Sequence, residues 1–240
     1  MWGIPMPPFI AKIIGKFAVD KLKVIEEPFL TPKMPDKLPV LSLSLDKFKV
    51  LTGHVIDSLE GGYYHPSMIT KFNARSQKIL AASGETMFGL DRKAGVQLSK
   101  YPEWVQFWTL VDKAKKQQPN EWGYNKRGGM YGEQLKDLTS AIMYKWFSYL
   151  AGKYILISSM DEIANDDRLI IHFSYASWNG EGWFKRYAEA LNKAINKYEG
   201  NKEAIYKEAI KARTESSNAT IQQQGVNMLN LFKKLKLNNI

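Results

Sequence analysis

Beyond residue 45 the apolar positions recur at intervals of three and four, the spacing that lines one face of an α-helix. Leu51, Val55, Ile56 and Leu59 make such a face from about residue 46. The Gly61-Gly62 pair that follows is expected to take the left-handed conformation that closes a helix, which leaves Glu60 as its last residue. Pro102 suits the first turn of a second helix running to about Lys116, with Val105, Trp108, Val111 and Ala114 inward. A loop with Gly123, Gly128, Gly129 and Gly132 comes next. Helical stripes then cover about 133 to 151 (Leu135, Leu138, Ile142, Trp146, Tyr149) and 161 to 177 (Ile163, Ile170, Phe173). Asn179-Gly180 breaks the chain, and helices over 183 to 198, 201 to 213 and 219 to 236 complete it.

Two stretches depart from this rhythm. Residues 63 to 98 fall into short, glycine-punctuated pieces, and SGETMFGLDR at 83 to 92 suits a hairpin in a small irregular sheet. Residues 1 to 45 hold 7 of the 10 prolines and read as an extended arm with one helical patch near 9 to 23, where Ile10, Ile13, Ile14, Phe17, Ala18 and Leu22 keep helical spacing. Neither an internal repeat nor the βαβ alternation of a parallel sheet is present. The fold class is therefore α+β, mostly α-helical with a small β element. Three parts are expected: a proline-rich N-terminal arm (1–45), a main domain (46–198) and basic C-terminal helices (199–240). The arm serves either as a strap over the main domain or as a docking element for a partner.

Composition narrows the chemistry. At 240 residues and 45% hydrophobic content the chain can bury one sizeable core. It has no cysteine, so disulfides, thiolate nucleophiles and Cys-built zinc sites are out. Its three histidines, at 54, 65 and 172, show no metal-ligand spacing, and neither a metal nor a cofactor is expected. GxSxG elbows, Walker A loops and dinucleotide fingerprints are likewise missing. No secretory cleavage pattern follows the N-terminal apolar run, and no stretch reaches the roughly 18 apolar residues of a membrane span. The net charge of +10 is concentrated toward the end, with 11 basic against 5 acidic residues over 185 to 240. That end is either a solvated helix face or an attractor for a polyanion.

Within HVIDSLEGGYYHP, Glu60 stands where a helix ends. A carboxyl there faces the negative end of the helix dipole, which together with partial burial favours its protonated form. Such a group can protonate a glycosidic oxygen, and the second glycine would let chain or substrate come close. Taken alone, a Glu before Gly-Gly is more often a surface carboxylate.

Two motifs change that balance. Glu60-Gly61-Gly62-Tyr63, and Gly84-Glu85-Thr86-Met87-Phe88-Gly89-Leu90 after it, resemble the Glu-Gly-Gly-Tyr and Gly-Gly-x-Thr-x-x-Gly-Ile elements of glycoside hydrolase family 108, the N-acetylmuramidases of phages and bacteria. More loosely, residues 161 to 195 resemble the family's helix, Asn-Gly turn and following helix, with Asn179 in the turn. The resemblance spans about residues 46 to 198 and marks a remote relative. It implies a lysozyme-like fold with the small β element beside the catalytic helix, Glu60 as general acid, Thr86 at the cleft, and Asn179 as a substrate-side residue. It also implies hydrolysis of the β-1,4 bond after N-acetylmuramic acid in peptidoglycan.

A second carboxylate must act as base or nucleophile. Strand alternation puts Glu85 and Thr86 on opposite faces, so Thr86 ranks as a water- or substrate-positioning hydroxyl, Glu85 as the candidate base and Asp91 behind it. Sugar rings stack on aromatics. Tyr63 and Tyr64 follow Glu60 directly, and Trp122, Tyr124 and Tyr131 lie in the glycine-rich loop, so these five are the candidate substrate-binding rings, whereas Trp104 and Trp108 suit a core. The expected partner is the glycan strand of peptidoglycan, with a virion or secretion-machine protein on the N-terminal arm, and nucleic acid is not favoured. The expected place of action is the bacterial cell wall, reached as a phage-type or machine-delivered enzyme. The alternatives are a chitinase or chitosanase, and a non-catalytic structural or adaptor protein of a virion or secretion apparatus that keeps the fold.

Overall fold

The computed structural model describes residues 42–66, 84–93 and 96–237. The arm up to residue 41, with its expected helix near 9 to 23, lies outside the described residues. The described chain is mostly helical, with α1 (Leu45–Leu59), β1 (Thr86–Met87), β2 (Leu90–Asp91), α2 (Pro102–Gln117), α3 (Gly132–Tyr154), α4 (Ile157–Asn165), α5 (Asp167–Trp178), α6 (Glu181–Tyr198), α7 (Lys202–Thr214) and α8 (Ala219–Lys234). No helix among the described residues is long and apolar enough to cross a membrane.

Helix α1 opens on Ser44, whose side chain accepts from the Lys47 amide, and buries Phe48, Leu51, Val55 and Ile56. Helix α5 is the centre of the molecule. Every residue from Arg168 to Ser177 is buried, and the helix is packed by α1, α3, α4 and α6. A helix wrapped on all sides needs its polar groups satisfied internally. The Ser174 and Ser177 hydroxyls do this by donating to the carbonyls of Ile171 and Ser174.

Two expectations are corrected here. The single helix expected over 161 to 177 is two, α4 and α5, because Asp166 accepts from the amides of Arg168 and Leu169 and so starts a new helix. Val105 points outward, 56% exposed, because Trp104, Phe107, Trp108, Val111 and Ala114 together make the larger apolar face of α2 and turn Val105 away from the core.

The basic C-terminal helices share the core. Ile205, Tyr206, Ala209 and Ile210 of α7 and Met228, Leu231 and Phe232 of α8 belong to the same cluster of buried residues as α1 and α5. The two helices cross closely at Gly225, where a Cβ would meet the Thr214 Cα at 2.9 Å. In the chain after α1 the small β element forms a ladder of short extended pieces. Residues 125–126 pair with 63, Tyr64 pairs with Thr86, and β1 pairs with β2 in the register Thr86–Asp91 and Met87–Leu90.

Candidate active site

Glu60 leaves α1 in an extended conformation, φ −106° and ψ 146°. The expected left-handed glycine cap is absent, since neither Gly61 nor Gly62 is among the glycines with positive φ. Arg127 takes that role: its guanidinium donates to the Ile56 carbonyl at 3.1 Å and the Glu60 carbonyl at 3.5 Å, with Asp57 3.1 Å away. A cation at a helix C-terminus meets both the orphan carbonyls and the negative end of the dipole. Gly62 is required for a different reason. A Cβ there would sit 2.3 Å from the Lys126 carbonyl oxygen, so only a glycine lets the 123–128 loop lie against the chain after Glu60.

The β1–β2 turn places backbone against the Glu60 carboxyl. Phe88 (φ 51°) and Gly89 (φ 77°) are both left-handed, as a tight two-residue hairpin turn demands. Phe88 is costly in that region, and it is held there from three sides. Its amide donates to Gly61, its carbonyl accepts from the Trp178 indole at 3.1 Å, and its buried ring lies under the Arg127 guanidinium at 4.8 Å. A Cβ on Gly89 would fall 2.7 Å from Glu60 Oε2 and 2.6 Å from Trp178 Cδ1. The acid therefore rests on bare backbone beside an indole edge. That desolvated setting, reinforced by the nearby Asp91 charge, pushes the Glu60 carboxyl up to about 8, and it holds its proton at neutral pH.

On the same hairpin, the Thr86 hydroxyl donates to Asp91 Oδ1 at 2.7 Å across the two strands. The two form a cross-strand pair in register, so both side chains stand on one face of the hairpin. Glu85 is on the other face. It accepts from Tyr63 at 2.9 Å, from Arg92 at 2.7 Å and from Lys115, and Arg92 forks on to Asp112. Burial alone would push Glu85 up, but the bonds from Lys115, Arg92 and Tyr63 outweigh it and hold the carboxyl at about 2. Glu85 thus ties the hairpin to α2, and the carboxylate whose charge reaches Glu60 is Asp91.

The aromatic candidates divide. Tyr63, 2% exposed, is edge-on to Trp122 at 4.9 Å and hydrogen-bonded to Glu85, so it is a core strut and not an open ring, because the fork of charges on Glu85 draws its hydroxyl inward. Trp122 packs against the core with its indole nitrogen buried. Tyr131 donates to Gln117. Tyr64, half-buried, meets the exposed Tyr124 edge-on at 6.1 Å, and its backbone is bonded to Thr86, which puts this pair beside the Thr86–Asp91 face. Asn179 shapes the α5–α6 turn, with both ends of its amide engaged inside the protein: it donates to the Tyr175 carbonyl at 2.8 Å and accepts from Gln224 at 3.3 Å.

Pattern reading passed over the last two turns of α5. Tyr175 and Trp178, three apart, lie on one face. Trp178 touches the acid's resting place, and the Tyr175 phenol lies within reach of the Glu60 charge. The helical stripe over 161 to 177 was visible, but nothing local marks which residue of a helix buried all round faces the end of another.

No protein-family model, no curated protein and no solved structure matches this chain. The chemical reading therefore rests on the side chains themselves: a carboxyl whose desolvation favours its protonated form, and a carboxylate, steadied by a hydroxyl, whose charge reaches it.

Proposed function

We propose that this protein is a peptidoglycan hydrolase of the N-acetylmuramidase type, built on a lysozyme-like fold, with Glu60 as general acid. The observation that carries the reading is the Glu60 carboxyl, held protonated at the end of α1 against Gly89 and Trp178, with the Thr86–Asp91 pair on the same hairpin as Gly89. Glu60 gives its proton to the glycosidic oxygen as the C–O bond breaks. Asp91, rather than Glu85, is the second carboxylate. In a single displacement it takes a proton from the water that attacks the anomeric carbon, and in a double displacement it attacks that carbon itself. Thr86 orients Asp91, and Tyr64 and Tyr124 stack on sugar faces. The basic surface suits an anionic cell wall, and the place of action is that wall, reached as a phage-type or machine-delivered enzyme.

The test is release of reducing ends from purified peptidoglycan by the full chain, with Glu60→Gln as control. Release abolished by the substitution supports the reading. Release from chitin or chitosan but not from peptidoglycan moves the substrate, and no release from any of the three by folded protein leaves the non-catalytic virion or adaptor reading in its place.

A further inference from the structure

One buried charged side chain is not used by the hydrolytic scheme. Arg213, on the last turn of α7, is fully buried, and none of its three guanidinium nitrogens has a hydrogen-bond partner among the described residues. Its guanidinium lies between two rings, 4.7 Å from the Tyr175 centroid on α5 and 4.7 Å from the Tyr187 centroid on α6. Burying a cation without a carboxylate is costly, and stacking on two aromatic faces offsets only part of that cost. Among the salt-bridged arginines, Arg92 and Arg168 each take two carboxylates and Arg127 takes one. Arg213 takes none.

What Arg213 does touch leads to the acid. Tyr175 stands one turn before Trp178 on the same face of α5, and Trp178 borders the Glu60 carboxyl at Gly89. A cation over a phenol ring withdraws electron density and makes the hydroxyl a stronger donor. We propose that Arg213 is a positioning residue for Glu60 that acts through Tyr175: it polarises the phenol, whose hydroxyl then donates to the Glu60 carboxylate once the acid has given up its proton. The inference rests on the hydrolase reading for its purpose, since an acid buried well enough to stay protonated must also survive as an anion until it is reprotonated.

The groups bearing on this pair are few. Tyr175 feels Glu60 at the end of α1, Arg213 from α7 and Tyr187 from α6, and Glu60 additionally feels Asp91 on β2. His172, one turn earlier on α5 and 4.8 Å from the Tyr187 ring, is held neutral by burial and by Arg213, so it brings no competing charge. The positive charge that faces the Tyr175 ring is that of Arg213.

The experiment is a carbon-13 NMR titration of the Glu60 carboxyl in the full chain, wild type against Tyr175→Phe, Arg213→Met and Arg213→Lys. Tyr175→Phe keeps the ring and removes only the donor, so it is expected to fold and to raise the Glu60 midpoint by about one pH unit, the size of one hydrogen bond to a charged group. Arg213→Met is expected to raise it similarly, Arg213→Lys less, and the double variant no further than Tyr175→Phe alone. An unchanged midpoint in folded Tyr175→Phe overturns the proposal, and that variant decides the matter if Arg213→Met does not fold. Where the wild type hydrolyses peptidoglycan, the alkaline limb of its rate profile shifts with the midpoint. Where it does not, the hydrolase reading fails by itself and the titration still decides the role of Arg213.

Discussion

The indole of Trp178 donates its N–H to the carbonyl of Phe88 at 3.1 Å, joining the buried central helix to the tip of a hairpin 90 residues earlier. Between these two residues lie Gly89 and the Glu60 carboxyl. The acid is thus held by three separate pieces of chain: the end of α1, the turn between β1 and β2, and the last turn of α5. None of the three encloses the carboxyl alone. Their meeting desolvates one carboxyl, and desolvation is what gives it a proton to donate.

Gly89 is where that meeting is most crowded. An alanine there needs a left-handed φ of 77° and a methyl 2.6 to 2.7 Å from Trp178 and Glu60. Gly89→Ala is therefore expected to cost about 1–3 kcal/mol and to lower activity far more than the remaining folded fraction explains. Thermal unfolding alongside turnover measures both, and a variant with normal turnover would show that the acid does not depend on this contact.

The three carboxyls separate by substitution. Glu60→Gln and Asp91→Asn are each expected to lower turnover by at least about 100-fold, the usual scale of general acid or base loss, with the fold retained. Glu85→Gln leaves Lys115 and the Arg92 fork short of an acceptor and is expected to lower stability while the folded enzyme stays active. If Glu85→Gln abolishes turnover at full stability and Asp91→Asn does not, the order of the two carboxylates reverses.

Much of the helical frame was legible because an amphipathic stripe states its own period: α1, α2 and α3 lie close to where Leu51, Trp108 and Trp146 put them, and α6 to α8 close to the spans expected over 183 to 198, 201 to 213 and 219 to 236. The hairpin was legible from its glycines, although Phe88 in a left-handed turn was not, since its strain is met by Gly61, Trp178 and Arg127, all distant in sequence. Glu60 could be picked out only through the Glu-Gly-Gly-Tyr resemblance, since a Glu before two glycines is by itself more often a surface carboxylate. Its partner could not, because the choice between Glu85 and Asp91 depends on which face of a two-residue strand meets α1. Tyr63 and Asn179 misled for a similar reason: a polar aromatic or amide beside a motif residue looks available until its hydrogen bonds are counted.

The two perturbed carboxyls give opposite pH dependences. Glu60, raised from the ordinary 4.5 to about 8, binds its proton more tightly folded than unfolded, so its contribution to stability falls as pH rises through that window, by up to about 1.4 kcal/mol per pH unit. Glu85, lowered to about 2, contributes stability above the ordinary carboxylate range that is lost as pH falls from about 4.5 toward 2. Urea unfolding at pH 5 and pH 8 should show Glu60→Gln gaining on the wild type at the higher pH. A constant difference between the two proteins would mean that Glu60 titrates normally. For turnover, the acid-dependent limb should decline above about pH 8, where Glu60 no longer holds its proton.

Residues 219–240 test whether the basic end is an anchor or part of the body. Ile221, Met228, Leu231 and Phe232 of α8 are buried, Gly225 crosses α7 at Thr214, and Gln224 bonds to Asn179 in the turn next to Trp178. Removing the segment uncovers several large apolar side chains, each worth about 2–5 kcal/mol when lost from a core, and releases the turn that holds the α5 end of the site. Truncation is therefore expected to lower the melting temperature sharply and to impair cleavage of short soluble glycans together with binding to intact walls. The charge can be separated from the packing, because Lys233 and Lys234 are exposed at the end of α8. Replacing both with Gln should leave the melt and soluble-glycan cleavage unchanged while weakening wall binding at low salt, where exposed charges act beyond about 8 Å. Wall binding that is insensitive both to salt and to these two substitutions would remove attraction to the wall as the role of the basic end, and the surplus charge on α8 would then be a solvated helix face.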